Sequence, residues 1–419
     1  MKTYAASSGN VKIEVGALMK SFGLWYQEIS KETKKGNKCN ECCKLSLQNI
    51  GKEQAENEIS EEKREEMLQM KAEDPQFSLH VNFWSLEDVK TKENIKTPIL
   101  DIGIKIKNYT KLENLTFFCP FELDGELIDL SKKLESKNNA SIIFNSDCEI
   151  QTKDSYTIVE IPEHDERLLV FPMEQVIKDV YYIEEVPEKH PEGTQIIFNF
   201  GNFREYVKGV ERLKDLDTIY IRFRIKDASL KQHIYLDSEP INKSFESAFS
   251  GTRIIDFKVN EKRNIAEAVR AENIVNNQNW VKFKDIHYLI MVPSSYDLTS
   301  FYKKSMTCRE LEDKLWDDYL ETTLDISNSH VLAYHWKDIA EDGKMCEDFA
   351  CLVKVNYSRA KKSTIALYML SVVALGVLSS LIVTSLAEYF GALGFLYFVL
   401  GLGIVIVSFL IIIFAGKNS

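Results

Sequence analysis

The residues best equipped for chemistry lie in the segment Tyr220-Ile-Arg-Phe-Arg-Ile-Lys226. As a β-strand it turns Ile221, Phe223 and Ile225 to one side and Tyr220, Arg222, Arg224 and Lys226 to the other. Lys105 and Lys107 alternate with Ile104 and Ile106 in the same manner. Two basic-faced strands in a chain of net charge -11 can form a local anion site. Guanidinium groups grip phosphate oxygens, and a tyrosine ring can stack on a base. A nucleotide or short oligonucleotide is the ligand such a face would take. The competing reading is a solvated outer sheet face whose cations pair with nearby carboxylates. Arg253, Lys258, Lys262 and Arg263 make a weaker basic segment, which Asp256 and Glu261 can neutralise.

Other signals are thinner. Cys39, Cys42 and Cys43 supply half of a zinc site, and no second pair follows at a fitting distance, so free thiols and no metal are expected. None of the seven histidines sits in a hydrolytic motif. His330 and His335, five apart in a strand, point to opposite faces and are read as structural. The chain has no P-loop, GxSxG elbow or GxGxxG turn. No catalytic residue and no cofactor is assigned, and an enzyme is not expected.

These residues must be positioned by a chain that changes character along its length. Residues 1–75 read as mainly helical, with Leu18, Met19, Phe22, Leu24 and Trp25 on a helical spacing and a Glu/Lys-rich helix over 52–71. Residues 76–264 carry short alternating runs separated by turns, including a strand over 142–145, which predicts an antiparallel sandwich or barrel. Residues 265–360 are mixed. A helix is expected over 265–276, and the capping box Thr307-Cys308-Arg309-Glu310 predicts a helix running through Leu311, Leu315, Trp316, Tyr319 and Leu320. The fold class is therefore α+β, a β-rich domain with flanking helices.

Residues 361–419 are different. The runs 364–386 and 392–415 are apolar, and Glu388 is the sole charge between Thr364 and Ala415. At about 1.5 Å per residue each run can cross a hydrocarbon core of about 30 Å. The short connection AEYFG predicts an antiparallel two-helix transmembrane hairpin. Arg359, Lys361, Lys362 and Lys417 flank it and the connection has no Lys or Arg, which places both termini in the cytoplasm. Gly376, Ser380 and Thr384 recur every four positions in the first run; Gly394, Gly401 and Ser408 recur every seven in the second. Such seams of small residues let helices approach closely, either within one hairpin or between chains. The absence of intramembrane Asp, Lys, Arg or His argues against an ion-coupled transporter. No apolar leader precedes the β-rich part, the cysteines do not form a disulfide framework, and the acidic balance argues against broad adhesion to duplex nucleic acid.

This layout resembles bacterial anti-phage effectors in which a cytoplasmic sensor controls a short transmembrane bundle, and it is most similar to the Hailong-type effectors. The resemblance rests on architecture and carries over no binding residue. It implies a homo-oligomer such as a tetramer in the inner membrane, opened or silenced by a nucleotide-type signal, with depolarisation as the outcome. The other reading is a membrane-tethered binding or scaffold protein whose hairpin is a simple anchor.

Overall fold

The computed structural model describes residues 20–29, 74–87, 89, 95–153, 155–173, 177–183, 193–213, 215–238, 250–301, 306–311, 315–321, 330–340, 344–358 and 362–415. The Cys39/Cys42/Cys43 cluster and the 52–71 helix expectation lie outside them. In chain order the strands begin β1 (Gly23–Glu28), β2 (Gln76–Trp84), β3 (Ile99–Lys107), β4 (Leu112–Cys119), β5 (Glu126–Asp129), β6 (Glu149–Lys153) and β7 (Tyr156–Ile161). They continue as β8 (Glu166–Val170), β9 (Ile177–Ile183), β10 (Gly193–Asn199), β11 (Thr218–Lys226), β12 (Tyr235–Ser238) and β13 (Ser250–Val259). The last are β14 (Asn279–Trp280), β15 (Phe283–Pro293), β16 (Asp297–Phe301), β17 (Thr307–Glu310), β18 (Val331–Ile339) and β19 (Phe349–Ser358). Among the described residues the α-helices are α1 (Lys137–Phe144), α2 (Gly201–Gly209), α3 (Ser229–Ile234), α4 (Glu267–Val275), α5 (Leu315–Leu320) and α6 (Lys362–Ala415).

The fold is α+β and strand-rich. The largest sheet runs β17-β18-β15-β2-β3-β11-β8-β7-β6, with β5 also on β11. A second sheet runs β14-β1-β4-β10-β9, and a third β12-β13-β19-β16. β15 pairs with β2 and β11 with β8 in parallel, and β3 lies antiparallel to both β2 and β11. One face of the large sheet is oily. Leu79, Val81, Ile104, Ile221, Phe223, Ile286 and Tyr288 share a core with Leu24, Phe117 and Phe198 of the second sheet and Phe257 and Val353 of the third. The rings of Phe117 and Phe223 meet edge to face at 5.4 Å, and Phe257 stacks on Tyr288 at 4.8 Å. Each such side chain contributes about 1.5–3 kcal/mol by leaving water.

The opposite face is also covered. Trp84 and Met291 pack with Leu311, Trp316, Tyr319 and Leu320, and Val159, Leu168, Val170 and Tyr220 pack with Leu134 and Ala140. Helices α1 and α5 thus roof a face that alternation alone would leave in solvent.

Several local expectations are corrected. The helical spacing around Phe22 to Trp25 belongs to strand β1, which is buried on both sides: Leu24 faces the main core and Trp25 packs with Phe118, Ile265 and Val269. A strand buried on both faces carries no polar alternation to betray it. The run at 142–145 is helix α1 instead of a strand, closed by Asn145 at φ 52°. Thr307–Glu310 is strand β17, paired from Thr307 with His335 to Glu310 with Leu332, and only α5 survives of the helix expected there. The helix over 265–276 appears as α4. Residues 76–264 and 265–360 are interleaved, since β15 pairs with β2 in one sheet.

The chain divides into two compact units, 1–239 with 251–357, and 240–250 with 358–419. In the second unit α6 is helical over Lys362–Ala415 apart from Gly391, at φ 69° and ψ 165°, a conformation that favours glycine. The five-residue loop expected at 387–391 is not formed; the helix continues to Phe390 and breaks at one residue. Among the described residues one helix, Ile365–Tyr389, is long and apolar enough to cross a membrane, and none of it is buried.

Candidate functional site

The roofed face of the large sheet carries a continuous polar network. Its deep end is Asp101 on β3, fully buried. Arg224 of β11, directly opposite in the register, grips it with Nε donating to Oδ1 at 2.6 Å and Nη2 to Oδ2 at 3.0 Å. Trp84 Nε1 and Tyr319 Oη also donate to Oδ2, at 2.9 and 2.8 Å. The Tyr319 hydroxyl accepts from Arg222 Nε at 2.8 Å, and Arg222 Nη1 donates to Tyr220 Oη at 2.9 Å. With the Asn82 amide oxygen turned toward it, Arg222 Nη2 donates there at 2.9 Å. Glycine is favoured at 103, because a Cβ there would strike the Tyr220 hydroxyl and crowd Arg222 Nη1.

Toward solvent the network passes to histidines. Tyr220 Oη lies 3.2 Å from His80 Nδ1. The His80 ring stands edge-on to His287 with centroids 5.2 Å apart, and His287 Nδ1 lies 3.1 Å from His335 Nε2. The parallel pairing of β2 with β15 sets His80 beside His287 and Ser78 beside Asp285. A bulge between Phe283 and Asp285 makes this possible. It keeps Phe283 and Ile286 in the core while Asp285 and His287 share the polar face. Ser78 Oγ donates to Asp285 Oδ2 at 3.0 Å.

Burial alone would raise the Asp101 carboxyl, but the charge and hydrogen bonds of Arg224, with Arg222 and Trp84 behind them, hold it below its ordinary 3.8. Desolvation works against both guanidiniums, yet the hydroxyls and Asp101 around them keep them charged. Arg222 also lies 5.5 Å from the Tyr319 ring centroid, a cation–π contact. Burial, then His287 and the Arg222 charge, push His80 well below 6.5. Burial takes His287 down to about 4 against the pull of Asp285, and burial with Lys337 lowers His335. All three rings are therefore neutral near pH 7, the form that offers a lone pair.

Tyr220, Arg222 and Arg224 are brought together as the alternation indicated, but at 0%, 1% and 2% exposure they form no open basic face. Tyr220 packs against Phe144 at 5.0 Å and has no surface for a base. The outer cations are dispersed. Lys105 pairs with Glu166 at 3.0 Å, Lys226 lies 4.0 Å from Glu126, and Lys107 is exposed at the end of β3. His330 precedes β18, is exposed and pairs with Glu310, whereas His335 joins the network. Asp101, Tyr319, His80, His287 and Asp285 are the functional candidates that spacing alone did not single out. Beside the network a cleft of about 320 Å³ is lined by Asn138, Ser141, Asn145, Arg309, Leu311 and Trp316.

In α6, side chains added at Gly376 or Gly401 would meet nothing within 4 Å among the described residues. Thr384 Oγ1 donates to the Ser380 carbonyl at 2.9 Å, a bond within its own helix. Gly394 is half-buried, and Ser408 lies in the helical backbone after Gly391. No protein-family model matches the chain, and no curated protein matches it.

Proposed function

We propose that the protein is a membrane effector of anti-phage defence, in which the β-rich unit senses a nucleotide or short oligonucleotide and several copies of the C-terminal segment form a pore that depolarises the inner membrane. The observation that carries the membrane part of this reading is the bare apolar surface of Ile365–Tyr389; the effector role rests on the resemblance in layout. Leu367, Met369, Leu370, Val372, Val373 and Leu375 are each more than 60% exposed, so apolar side chains point outward all round the helix. A helix this apolar and this exposed needs lipid or other copies of itself as solvent. The second run, 392–415, crosses back, and the termini stay in the cytoplasm by the charge rule. Two helices cannot enclose a pore, so the open faces at Gly376 and Gly401 are where neighbouring chains approach. The ligand enters at the cleft beside Arg309 and Trp316, whose volume suits a nucleotide-sized molecule. Its effect requires different affinities for the closed and open states.

The test is expression in bacteria carrying a potential-sensitive dye, with Gly401→Leu as the blocking variant. Depolarisation by the parent chain that Gly401→Leu relieves, at equal amounts in the membrane fraction, supports the pore. Membrane-bound protein with no depolarisation would leave an anchored binding or scaffold protein. Protein that stays soluble without detergent would end both readings.

A further inference from the structure

We infer that His80, His287 and Asp285 form a binding site for a divalent transition-metal ion, zinc being the first candidate. One ring nitrogen of each histidine and one oxygen of the carboxylate lie within 4.8 Å of one another, and all three side chains are partly exposed. Two imidazoles and one carboxylate are a recurrent donor set for zinc and ferrous iron, and they leave a coordination position open to water.

The arrangement around these atoms separates a metal site from an ordinary hydrogen-bonded cluster. Each of the three groups has one polar atom held from behind. His80 Nδ1 is held by Tyr220 Oη, His287 Nδ1 by His335 Nε2, and Asp285 Oδ2 by Ser78 Oγ. Outer partners of this kind fix the tautomer and ring orientation of metal-binding histidines. With a metal on its other nitrogen, His80 would carry its proton on Nδ1 and donate it to Tyr220, whose oxygen can accept beside the bond from Arg222. In front, His287 Nε2 and Asp285 Oδ1 face each other at 3.6 Å, beyond hydrogen-bond reach. Two ligands on one tetrahedral ion with bonds of about 2.1 Å lie about 3.4 Å apart. The pair is thus already at coordination spacing, and the free His80 nitrogen lies within 4.8 Å of both atoms.

The strands make the site rigid. His80 and His287 are register partners across the parallel β2–β15 pair, and the bulge before Asp285 brings the carboxylate onto the same face. Arg222, one hydroxyl behind His80, opposes positive charge at the site. The negative charge of Asp285 is what tips the balance, so its loss should weaken binding most. This inference does not depend on the membrane reading.

The experiment uses the full-length chain in detergent, stripped with a chelator and titrated with Co²⁺ followed by absorption, then with Zn²⁺ by competition. One equivalent per chain is expected. Asp285→Asn should weaken Zn²⁺ binding at least 100-fold and His80→Gln similarly. Ser78→Ala, which removes only an outer partner, should cost about 10–100-fold. His330→Gln, outside the site, should bind as the parent does. A folded parent chain that takes up no stoichiometric Co²⁺ or Zn²⁺ overturns the proposal. So does parent-like affinity in the double variant His80→Gln/His287→Gln, or, should that variant unfold by circular dichroism, parent-like affinity in Ser78→Ala.

Discussion

The two faces of the large sheet are made by the same strands, yet they exclude water by different means. On one side Phe223 and its neighbours meet two other sheets, and any apolar side chain of similar volume would serve. On the other, one residue along, Arg224 meets Asp101, and only groups of matching charge and geometry will do. The oily face is tolerant and stabilising. The polar face is demanding, because each buried donor or charge is costly unless paired. The contrast teaches that alternation along a strand reports polarity, and that a roof such as α1 and α5 decides whether polar means wet.

One substitution on each face separates the two kinds of packing. Asp101→Asn leaves two buried guanidiniums without their carboxylate and should cost about 3–5 kcal/mol in urea unfolding. Phe223→Ala should cost a similar amount, about 3–5 kcal/mol, through its cavity. The faces then part company under conservative change. Phe223→Leu should lose far less than Phe223→Ala, whereas Arg224→Lys forfeits the two-pronged grip and should approach the cost of Asp101→Asn. Equal tolerance on both faces would refute the distinction.

Acid sharpens it further. The Asp101 carboxyl is held below its ordinary 3.8, so its contribution is complete above that value and is lost as pH falls through the folded-state value. The stability gap between the parent and Asp101→Asn should be flat at neutral pH and narrow below pH 3.8, as read by Tm. The gap for Phe223→Ala should not narrow in that way. Next in size, Gly103→Ala should cost about 1–3 kcal/mol by forcing the Tyr220 hydroxyl aside. Smallest is Lys105→Ala. Its pairing with Glu166 at the sheet surface is worth below about 1 kcal/mol and should fade in salt.

Much of this fold was legible from period-two alternation. Strands β3 and β11 lie where the pattern put them, and Tyr220, Arg222 and Arg224 share a face as it required. What alternation could not convey was the roof, since α1 and α5 reach that face through tertiary packing. The capping box at Thr307 failed because pairing with β18 outweighed a local cap. The histidine site was hidden for a different reason. His80 and His287 look unremarkable in FSLHVNFW and FKDIHYLIMV, and only the pairing of two distant strands sets them side by side.

That pairing also sets a timetable. Ser78 and Asp285 are 207 residues apart along the chain, and β2 has β15 as one of its two sheet neighbours. A nascent chain therefore carries β2 with one edge unsatisfied until β15 has left the ribosome, and closing so long a loop is slow. The large sheet, whose β18 comes later still, can be completed only shortly before the apolar α6 emerges. During synthesis the burial of β2 and the delivery of the greasy C-terminal segment are thus near-simultaneous events, and a delay in the first leaves both sticky surfaces exposed at once.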